Sequence, residues 1–279
     1  MASLLITGCS TGFGRVTTLH MLRRGWRVIA TVRKHADRDS LIAEASAAGH
    51  SGNLVVAIAD ITKAADVAAL GDTIAKEAPK LDALVNNAGT GYPAPLELLA
   101  IDDFRAQLEI NLVAHLAVTQ VALPALKAAR GTIINVSSVA GRIASPLLGA
   151  YHISKFGLEA MSDTLRLELI PFGIRVAVIE PGSSPTTIWE TSARNATAVN
   201  RAGIAPYQKI VDHLNRFMEH TKTHGFPPRL FADTVEKILS TENPKPRYPI
   251  PADIRRRLLI RKLVSDRMMD RLIRWTLKW

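Results

Sequence analysis

The stretch from Ser3 to Gly14 reads SLLITGCSTGFG and decides the fold of this chain. Residues 3–7 predict a short buried strand, and Gly8 and Gly12 follow before a helical segment. A strand, a glycine-rich turn and a helix N-terminus together form a phosphate site, because unobstructed N–H groups and the helix dipole point at the anion. The stretch therefore predicts a phosphate-binding turn at the start of an α/β fold. For this motif alone, a glycine-rich turn without a ligand is the alternative.

Three polar residues farther along have a spacing typical of an acid–base site. Ser138 precedes Tyr151 by thirteen residues, and Lys155 follows Tyr151 by four. Residues four apart share a helix face, so we expect the Lys155 ammonium beside the Tyr151 phenol. A positive charge there lowers the pKa of the phenol from about 10. The spacing predicts a tyrosine that works near neutral pH, although the pair alone also occurs in helices with a core Tyr and a solvated Lys.

Apolar runs alternate with helical patterns along most of the chain. The runs that predict strands are 3–7, 26–32, 54–58, 81–86, 131–137 and 173–180. This alternation predicts a doubly wound parallel sheet with helices on both faces. We assign residues 1–250 to this domain, with a substrate-binding loop or lid over 182–228, and residues 251–279 to a basic amphipathic helical tail.

Composition favours a cytoplasmic protein. Hydrophobic residues make up 47% of the chain, yet no apolar run is long enough to predict a membrane-spanning helix. The first strand follows Met1 directly, which leaves no room for a signal peptide. Cys9 is the only cysteine, so no internal disulfide can form, and we expect it to be a small buried residue in the turn.

The turn Thr7-Gly8-Cys9-Ser10-Thr11-Gly12-Phe13-Gly14 resembles the Thr-Gly-x-x-x-Gly-x-Gly signature of the classical short-chain dehydrogenase/reductase family. Further matches follow in the family's order: Asn86-Asn87-Ala88-Gly89, Asn111, Ser138, Tyr151 with Lys155, and Pro181-Gly182. The wording TGCSTGFG with IEPG is most similar to the hydroxysteroid and retinol dehydrogenase branch. The resemblance implies a Rossmann-type fold and an oxidoreductase that interconverts a lipophilic alcohol and its ketone or aldehyde, such as a steroid, retinoid or terpenoid.

The resemblance also implies the catalytic roles of four residues. Tyr151 would exchange a proton with the substrate oxygen, and Ser138 would hydrogen-bond that oxygen, so both also bind the substrate. Lys155 would bind the nicotinamide ribose and lower the Tyr151 pKa. Asn111 would position a water that continues the proton relay; judged from the residues alone, it could simply kink its helix.

Cofactor contacts are implied at many positions. They are Gly8, Ser10, Thr11, Gly12, Phe13, Gly14, Asp60, Ile61, Asn87, Ala88, Gly89, Tyr151, Lys155, Pro181, Gly182 and Thr186. Asp60 matches the family position that contacts the adenine, and it could also cap a helix beginning near Thr62.

The end of the second strand indicates which dinucleotide binds. An acidic residue there would hold the ribose 2′-hydroxyl of NAD. This chain has Val32 followed by Arg33 and Lys34, whose cations suit a 2′-phosphate. We therefore predict NADP(H) as the cofactor; a solvated basic turn is the alternative.

The expected substrate region is mostly apolar or small. It comprises residues 91–99, 141–150 and the segment after Gly182, and a helical pattern over 206–222 suits a lid or a core-facing helix. One alternative function is a reductase of acyl-carrier-bound 3-ketoacyl chains. The chain has 35 Lys and Arg against 25 Asp and Glu, and this basic excess would favour binding of an acidic carrier protein. Another is a dinucleotide-binding sensor without turnover, although Tyr151 and Lys155 are both kept.

The tail is strongly basic. Residues 254–279 hold nine Lys or Arg and two Asp, and Ser265 could cap a helix with Met268, Met269, Leu272 and Ile273 on one face and Trp275 and Trp279 near its end. Such a helix suits an anionic membrane surface, or it packs over the substrate cleft or a neighbouring subunit. No recognition motif for nucleic acid and no metal site accompanies the charge. The family resemblance implies a homodimer or tetramer through helices beginning near Asp102 and Ala150.

Overall fold

The computed structural model describes residues 1–195 and 203–277, and a parallel sheet of seven strands lies at its centre. The strands β1 to β7 are Ser3–Ile6, Arg27–Val32, Leu54–Ile58, Ala83–Asn86, Thr132–Val136, Arg175–Pro181 and Arg247–Ile250. Their order is β3-β2-β1-β4-β5-β6-β7, with every neighbouring pair parallel. The strand order reverses between β1 and β4, and ligands of such sheets bind in the crevice at that point. The predicted doubly wound sheet is confirmed.

Helices cover both faces of the sheet. The helices α1 to α11 are Gly12–Arg23, His35–Ala47, Ala64–Glu77, Ile101–Leu108, Ala114–Ala129, Gly149–Glu168, Ile188–Asn195, Gln208–His224, Arg229–Leu239, Ile254–Leu263 and Asp266–Leu277. One core cluster joins α1, α2 and α9 to one face, where Met21 and Phe231 are fully buried. A second joins α3, α5 and α6 to the other face. Burial on both faces explains why the central strands are continuous apolar runs.

The seventh strand, β7, is absent from the sequence prediction. It reads RYPI, is four residues long and lies at the edge of the sheet beside β6. Its proline and its arginine argue against a central strand, and an edge strand tolerates both. The strand carries Arg247 towards α6, where it pairs with Glu159.

One helical stretch departs from the expectation that no helix could cross a membrane. Residues 101–129, which comprise α4, a π-helical turn and α5, are long and apolar enough to do so by length and composition alone. Ala114, Val118 and Leu126 of this stretch are buried in the core against the sheet. The buried side chains of Gln107 and Asn111 also bond to the backbone of residue 90. One face of the stretch therefore packs in the core of this fold, and that face contributes to the hydropathy signal.

The basic tail forms two helices, α10 and α11, and α11 begins at Asp266, directly after the predicted cap Ser265. The carbonyl of Ser265 accepts bonds from the Met268 and Met269 amides at the start of α11. Of the four apolar residues expected on one face, Met269 is buried, whereas Met268 and Leu272 are 57% and 45% exposed. Trp279 and residues 196–202 of the predicted lid lie outside the described residues.

Candidate active site

A cleft of about 760 Å³ opens at the carboxyl ends of the central strands. The predicted site residues that line it are Gly8, Ser10, Thr11, Gly12, Phe13, Arg33, Asp60, Ile61, Asn87, Ala88, Gly89, Ser138, Tyr151, Lys155, Pro181, Gly182 and Thr186. Of the described site residues, only Gly14, Lys34 and Asn111 lie outside its lining. The structure thus brings nearly the whole predicted set to one place.

The glycine-rich turn has the geometry of a phosphate cradle. Gly8 and Gly12 have φ angles of +72° and +56°, which favour glycine, and α1 begins at Gly12. A Cβ on Gly8 would lie 2.9 Å from the Cα of Ala88, and one on Gly14 would collide with the Gly8 carbonyl oxygen. The turn is therefore closely packed and leaves the α1 N-terminus open to the cleft, which fits the pyrophosphate of a dinucleotide.

Thr7 joins this turn to the loop after β4. Its hydroxyl accepts the Asn87 and Ala88 amides, both at 3.0 Å, and the Asn87 side chain donates to the Thr7 carbonyl at 2.8 Å. The Ala88 carbonyl in turn lies 2.7 Å from Nε2 of His115. Burial, with the nearby charge of Lys155, lowers the pKa of His115 to about 3, so its ring is neutral. Thr7 and His115 were not among the predicted site residues, although Thr7 belongs to the quoted signature.

Asp60 sits at the end of β3 and shapes a turn. Its Oδ1 accepts the Thr62 amide at 3.1 Å and the Thr62 hydroxyl at 2.8 Å. Burial raises the Asp60 pKa, but these hydrogen bonds and the charges of Arg33 and Lys63 outweigh burial, so the pKa is lowered. Asp60 therefore caps the turn as a carboxylate, and it also lines the cleft. Arg33 is exposed at the rim of the cleft.

Ser138 and Tyr151 face each other across the cleft floor. The Ser138 Oγ accepts the Ala140 amide at 3.1 Å. The sequence predicts a lowered pKa for Tyr151, and this is wrong for the structure, where burial raises the Tyr151 pKa and the hydrogen bond with Ser138 only partly opposes it. The physical reason is that burial of the phenol outweighs the charge of Lys155, whose Nζ lies 5.7 Å from the centre of the Tyr151 ring.

Lys155 is a buried cation with one protein acceptor within hydrogen-bond distance among the described residues. Its Nζ donates to the Val136 carbonyl at 2.8 Å. Burial lowers the Lys155 pKa to about 8, and the negative charge of Glu159 opposes this effect. Lys155 thus lies in the cleft next to Tyr151, and keeping it protonated has an energetic cost.

Asn111 lies behind the cleft wall in the π-helical turn Glu109–Val113. Its side chain accepts the Thr90 amide at 2.9 Å and donates to the Thr90 carbonyl at 3.0 Å and to Ser154 Oγ at 3.2 Å. The helix of Asn111 departs from α geometry, as helices with π-turns at functional sites often do. The Asn111 amide links residue 90, in the loop after β4, to Ser154 of α6.

A buried ionic network lies against α6, the helix of Tyr151 and Lys155. Arg247 of β7 pairs with Glu159 of α6 at 3.0 Å and lies 3.6 Å from Glu180 of β6, which also pairs with Arg142 at 2.8 Å. Burial and the charge of Glu159 raise the Glu180 pKa, and the two arginines oppose that rise. Because Arg247 lies in the unpredicted strand, this network could not be predicted from the sequence.

The far side of the cleft has an apolar patch on α8, next to the polar side chains of His213 and of Thr191, Ser192 and Asn195 of α7. Ile210, Leu214 and Phe217 of α8 line it, and Leu277 of α11 packs with Leu147, Ile210 and Val211. The predicted helix over 206–222 is present as α8, and its inner side covers the cleft. Cys9, by contrast, is fully buried, and burial raises its pKa to about 12, as expected for a space-filling thiol.

The sheet order, the phosphate cradle and the Ser, Tyr and Lys side chains of one cleft define a Rossmann-type protein of the dinucleotide-dependent oxidoreductase class. Residues 2–197 match the sequence model of a family described as short chain dehydrogenase. The chain belongs to this family, in its retinol and hydroxysteroid dehydrogenase-like branch.

Two relatives illustrate the similarity in sequence. An uncharacterized oxidoreductase, YusZ, of Bacillus subtilis (strain 168) is 36% identical over 261 residues, which cover 93% of this chain and 92% of the relative. Human retinol dehydrogenase 16 is 34% identical over 290 residues, which cover 98% of this chain and 87% of the relative.

Solved structures share the fold at lower identity. A short-chain dehydrogenase from Streptomyces avermitilis matches with a TM-score of 0.79 and 23% identity, covering 99% of this chain and 96% of its own. A short-chain dehydrogenase/reductase from Burkholderia phymatum, solved in complex with NAD, matches with a TM-score of 0.81 and 22% identity over 94% of this chain and 93% of its own.

Proposed function

We propose that this protein is an NADP(H)-dependent oxidoreductase that interconverts a lipophilic alcohol and its ketone or aldehyde, of steroid, retinoid or terpenoid type. The observation that carries the proposal is the continuity of the cleft. It runs from the phosphate cradle past Ser138 and Tyr151 to the apolar side chains of α8. A substrate with an apolar body and one oxygen suits such a site, and the retinol dehydrogenases among the relatives support the substrate class.

In this proposal some residues of the chain transfer the proton, and others position the substrate and the cofactor. When bound, the nicotinamide supplies or accepts a hydride. In reduction Tyr151 donates a proton to the substrate oxygen, a step worth about 10² to 10⁴ in rate, and in oxidation it takes that proton back. Ser138 donates a hydrogen bond to the same oxygen. Lys155 holds the ribose, and Asn111 supports a water-mediated path for the proton towards Lys155.

The test is turnover with a panel of substrates. We expect the protein to oxidise NADPH in the presence of one of the steroid, retinoid or terpenoid ketones or aldehydes. The loss of NADPH is measured by its ultraviolet absorbance. Turnover of acyl thioesters alone would favour a 3-ketoacyl reductase instead. Tight NADPH binding without any turnover would favour a dinucleotide sensor.

Cofactor preference is proposed to depend on Arg33. Its guanidinium lies at the cleft rim near Asp60, where the adenosine ribose of a dinucleotide would bind. Replacing Arg33 by Ala removes a bidentate phosphate donor. We expect the KM for NADPH to rise about tenfold or more, while the KM for NADH changes less than about twofold.

Lys34 provides the matched control for that measurement. It is the adjacent cation but precedes α2 outside the cleft lining. Lys34→Ala is therefore expected to raise the KM for NADPH less than Arg33→Ala does. Equal effects of Arg33→Ala on both cofactors would refute the role of Arg33.

The tail is proposed to hold this otherwise cytoplasmic protein at a membrane surface. One side of α10 and α11 is anchored to the protein through Ile254, Leu258 and Met269, which are buried. The other side exposes Leu259, Ile260, Leu263, Met268, Leu272 and Trp275 among arginines. Apolar side chains flanked by cations suit an anionic lipid surface, where a lipophilic substrate is concentrated.

Vesicle sedimentation tests this membrane contact. We expect the protein to bind vesicles that contain phosphatidylserine at low salt. Vesicle binding is expected to be much weaker in the double variant Leu263→Glu and Trp275→Glu, because these side chains are 78% and 79% exposed. Ile42→Glu on α2 is the control, since Ile42 is also exposed but lies on another helix. Absence of sedimentation at low salt would end the membrane proposal.

Self-association is proposed to use α4 to α6. Their outer surfaces expose Ile101, Val113, Leu116, Ile153 and Phe156. Covering such apolar residues stabilises an assembly, and a homodimer or tetramer would do so. Light scattering of the purified protein measures which forms.

A further inference from the structure

The residue after Tyr151 is a histidine in a fully defined hydrogen-bonding environment. Nδ1 of His152 lies 2.8 Å from the Ala140 carbonyl, and Nε2 lies 3.0 Å from both the amide and the hydroxyl oxygen of Ser145. The side chain is 6% exposed and lines the cleft. Its neighbour Tyr151 is the proposed acid, so His152 lies beside the reacting groups without a role in the proton transfer described above.

The partners of His152 fix its protonation state. A carbonyl oxygen only accepts, so Nδ1 carries the proton, and a backbone N–H only donates, so Nε2 offers its lone pair. His152 is therefore neutral, with its proton on Nδ1. Burial lowers the pKa of His152, and the bond to the Ala140 carbonyl opposes this only in part. A neutral ring is what these partners require.

The two ring nitrogens of His152 contact two different segments, at Ala140 and at Ser145. Ala140 is held through its carbonyl by His152 and through its amide by Oγ of Ser138, at 3.1 Å. Ser145 belongs to the segment 141–150, and Ser145, Pro146 and Leu148 of this segment line the proposed substrate side of the cleft. Nδ1 of His152 is thus linked through Ala140 to the Ser138 hydroxyl, which is proposed to bind the substrate oxygen. Nε2 contacts Ser145, in the cleft wall against which the substrate body would lie.

We propose that His152 is a positioning residue with two separate functions: Nδ1 orients Ser138 through Ala140, and Nε2 holds the substrate-facing segment through Ser145. This inference rests on the proposed function, since it assigns Ser138 to the reacting oxygen. It predicts that the two functions affect different kinetic constants. Loss of the Nδ1 contact lowers kcat, and loss of the Nε2 contact raises the KM of the substrate.

Two amide substitutions separate the contacts. The amide of Asn lies at the level of Nδ1, and that of Gln lies at the level of Nε2. In His152→Asn the Ala140 bond is kept, so we expect kcat within about twofold of the wild type and a KM about fivefold higher. In His152→Gln the Ser145 bonds are kept, so we expect kcat about tenfold lower and a KM within about twofold. His152→Leu is expected to show both effects.

A second readout does not depend on activity. Amide hydrogen exchange of residues 141–148 is expected to be faster in His152→Asn and His152→Leu than in the wild type and His152→Gln. The dissociation constant of NADPH, measured by fluorescence, is expected to stay constant in all four proteins. These two measurements test His152 even if the substrate panel yields no turnover, in which case the proposed function fails on its own.

Several outcomes would overturn the proposal. Asn and Gln variants with the same kinetics as the Leu variant would show that neither contact acts separately. Wild-type kinetics in His152→Leu would remove any positioning role. Equal exchange of residues 141–148 in all four proteins, or a loss of NADPH binding that parallels the loss of activity, would mean that His152 supports the site only as packing.

Discussion

Replacing Tyr151 by Phe is expected to lower kcat by about 10² to 10⁴-fold, the usual contribution of a positioned acid. The substitution removes one hydroxyl and keeps the ring, so NADPH binding is expected to change less than about threefold. The large effect follows from position, because Tyr151 lies in the cleft within hydrogen-bond reach of Ser138. Steady-state kinetics with the best substrate of the panel, together with NADPH fluorescence titration, separate the two quantities.

Tyr207→Phe is the matched control for this prediction. The Tyr207 hydroxyl also has a hydrogen bond, at 2.8 Å to Glu97, but it lies at the start of α8 and is exposed to solvent. We expect wild-type kcat within about twofold, since an exposed hydrogen bond contributes little. If Tyr151→Phe kept more than about a tenth of the wild-type kcat, the proton would come from another group, and the assignment of Tyr151 as the acid would be wrong.

The parts of this structure that were predictable depend on local sequence. Leu4, Leu5 and Ile6 form a buried strand because helices cover both faces of the sheet, and a run of apolar residues indicates this directly. Gly8 and Gly12 mark the cradle because only the glycine conformation suits their φ angles. Such features need no knowledge of distant residues.

The parts that were not predictable depend on contacts between distant residues. Arg247 is an ordinary residue in a short segment with proline, and only the fold places it against Glu159, 88 positions earlier. The pKa of Tyr151 was predicted in the wrong direction for a similar reason. Helical spacing places Lys155 on the same side as Tyr151, but burial of each group depends on the surrounding fold, and here burial outweighs the neighbouring charge.

Burial of Lys155 leads to the second large effect, in Lys155→Met. We expect kcat/KM to fall by about 10²-fold or more, because the charge-assisted hydrogen bond proposed between Lys155 and the cofactor ribose would be lost. Stability is expected to respond differently. At about pH 7 the wild type carries the cost of a buried charge, and the variant loses the bond to the Val136 carbonyl, so their free energies of unfolding are expected to agree within about 2 kcal/mol.

The sign of the pH dependence follows from the direction of the pKa shift. The Lys155 pKa is lowered in the folded protein from 10.5 to about 8. Below the folded value Lys155 is protonated in both states, and the full cost of burial applies. Between about pH 8 and pH 10 the unfolded chain binds more protons than the folded protein, so the wild type gains stability as the pH rises. The gain relative to Lys155→Met is expected to approach about 3 kcal/mol, since one pKa unit corresponds to about 1.4 kcal/mol.

Urea unfolding of both proteins at several pH values measures this gain, and the difference between them removes the contributions of groups that both share. Lys155→Arg is the control, because a guanidinium stays charged at every pH and its burial cost is not relieved. That variant is expected to be less stable than the wild type throughout, increasingly so at high pH. A difference between the wild type and Lys155→Met that does not change with pH would mean that Lys155 does not titrate in this range, and that the ammonium is better solvated in the cleft than its burial indicates.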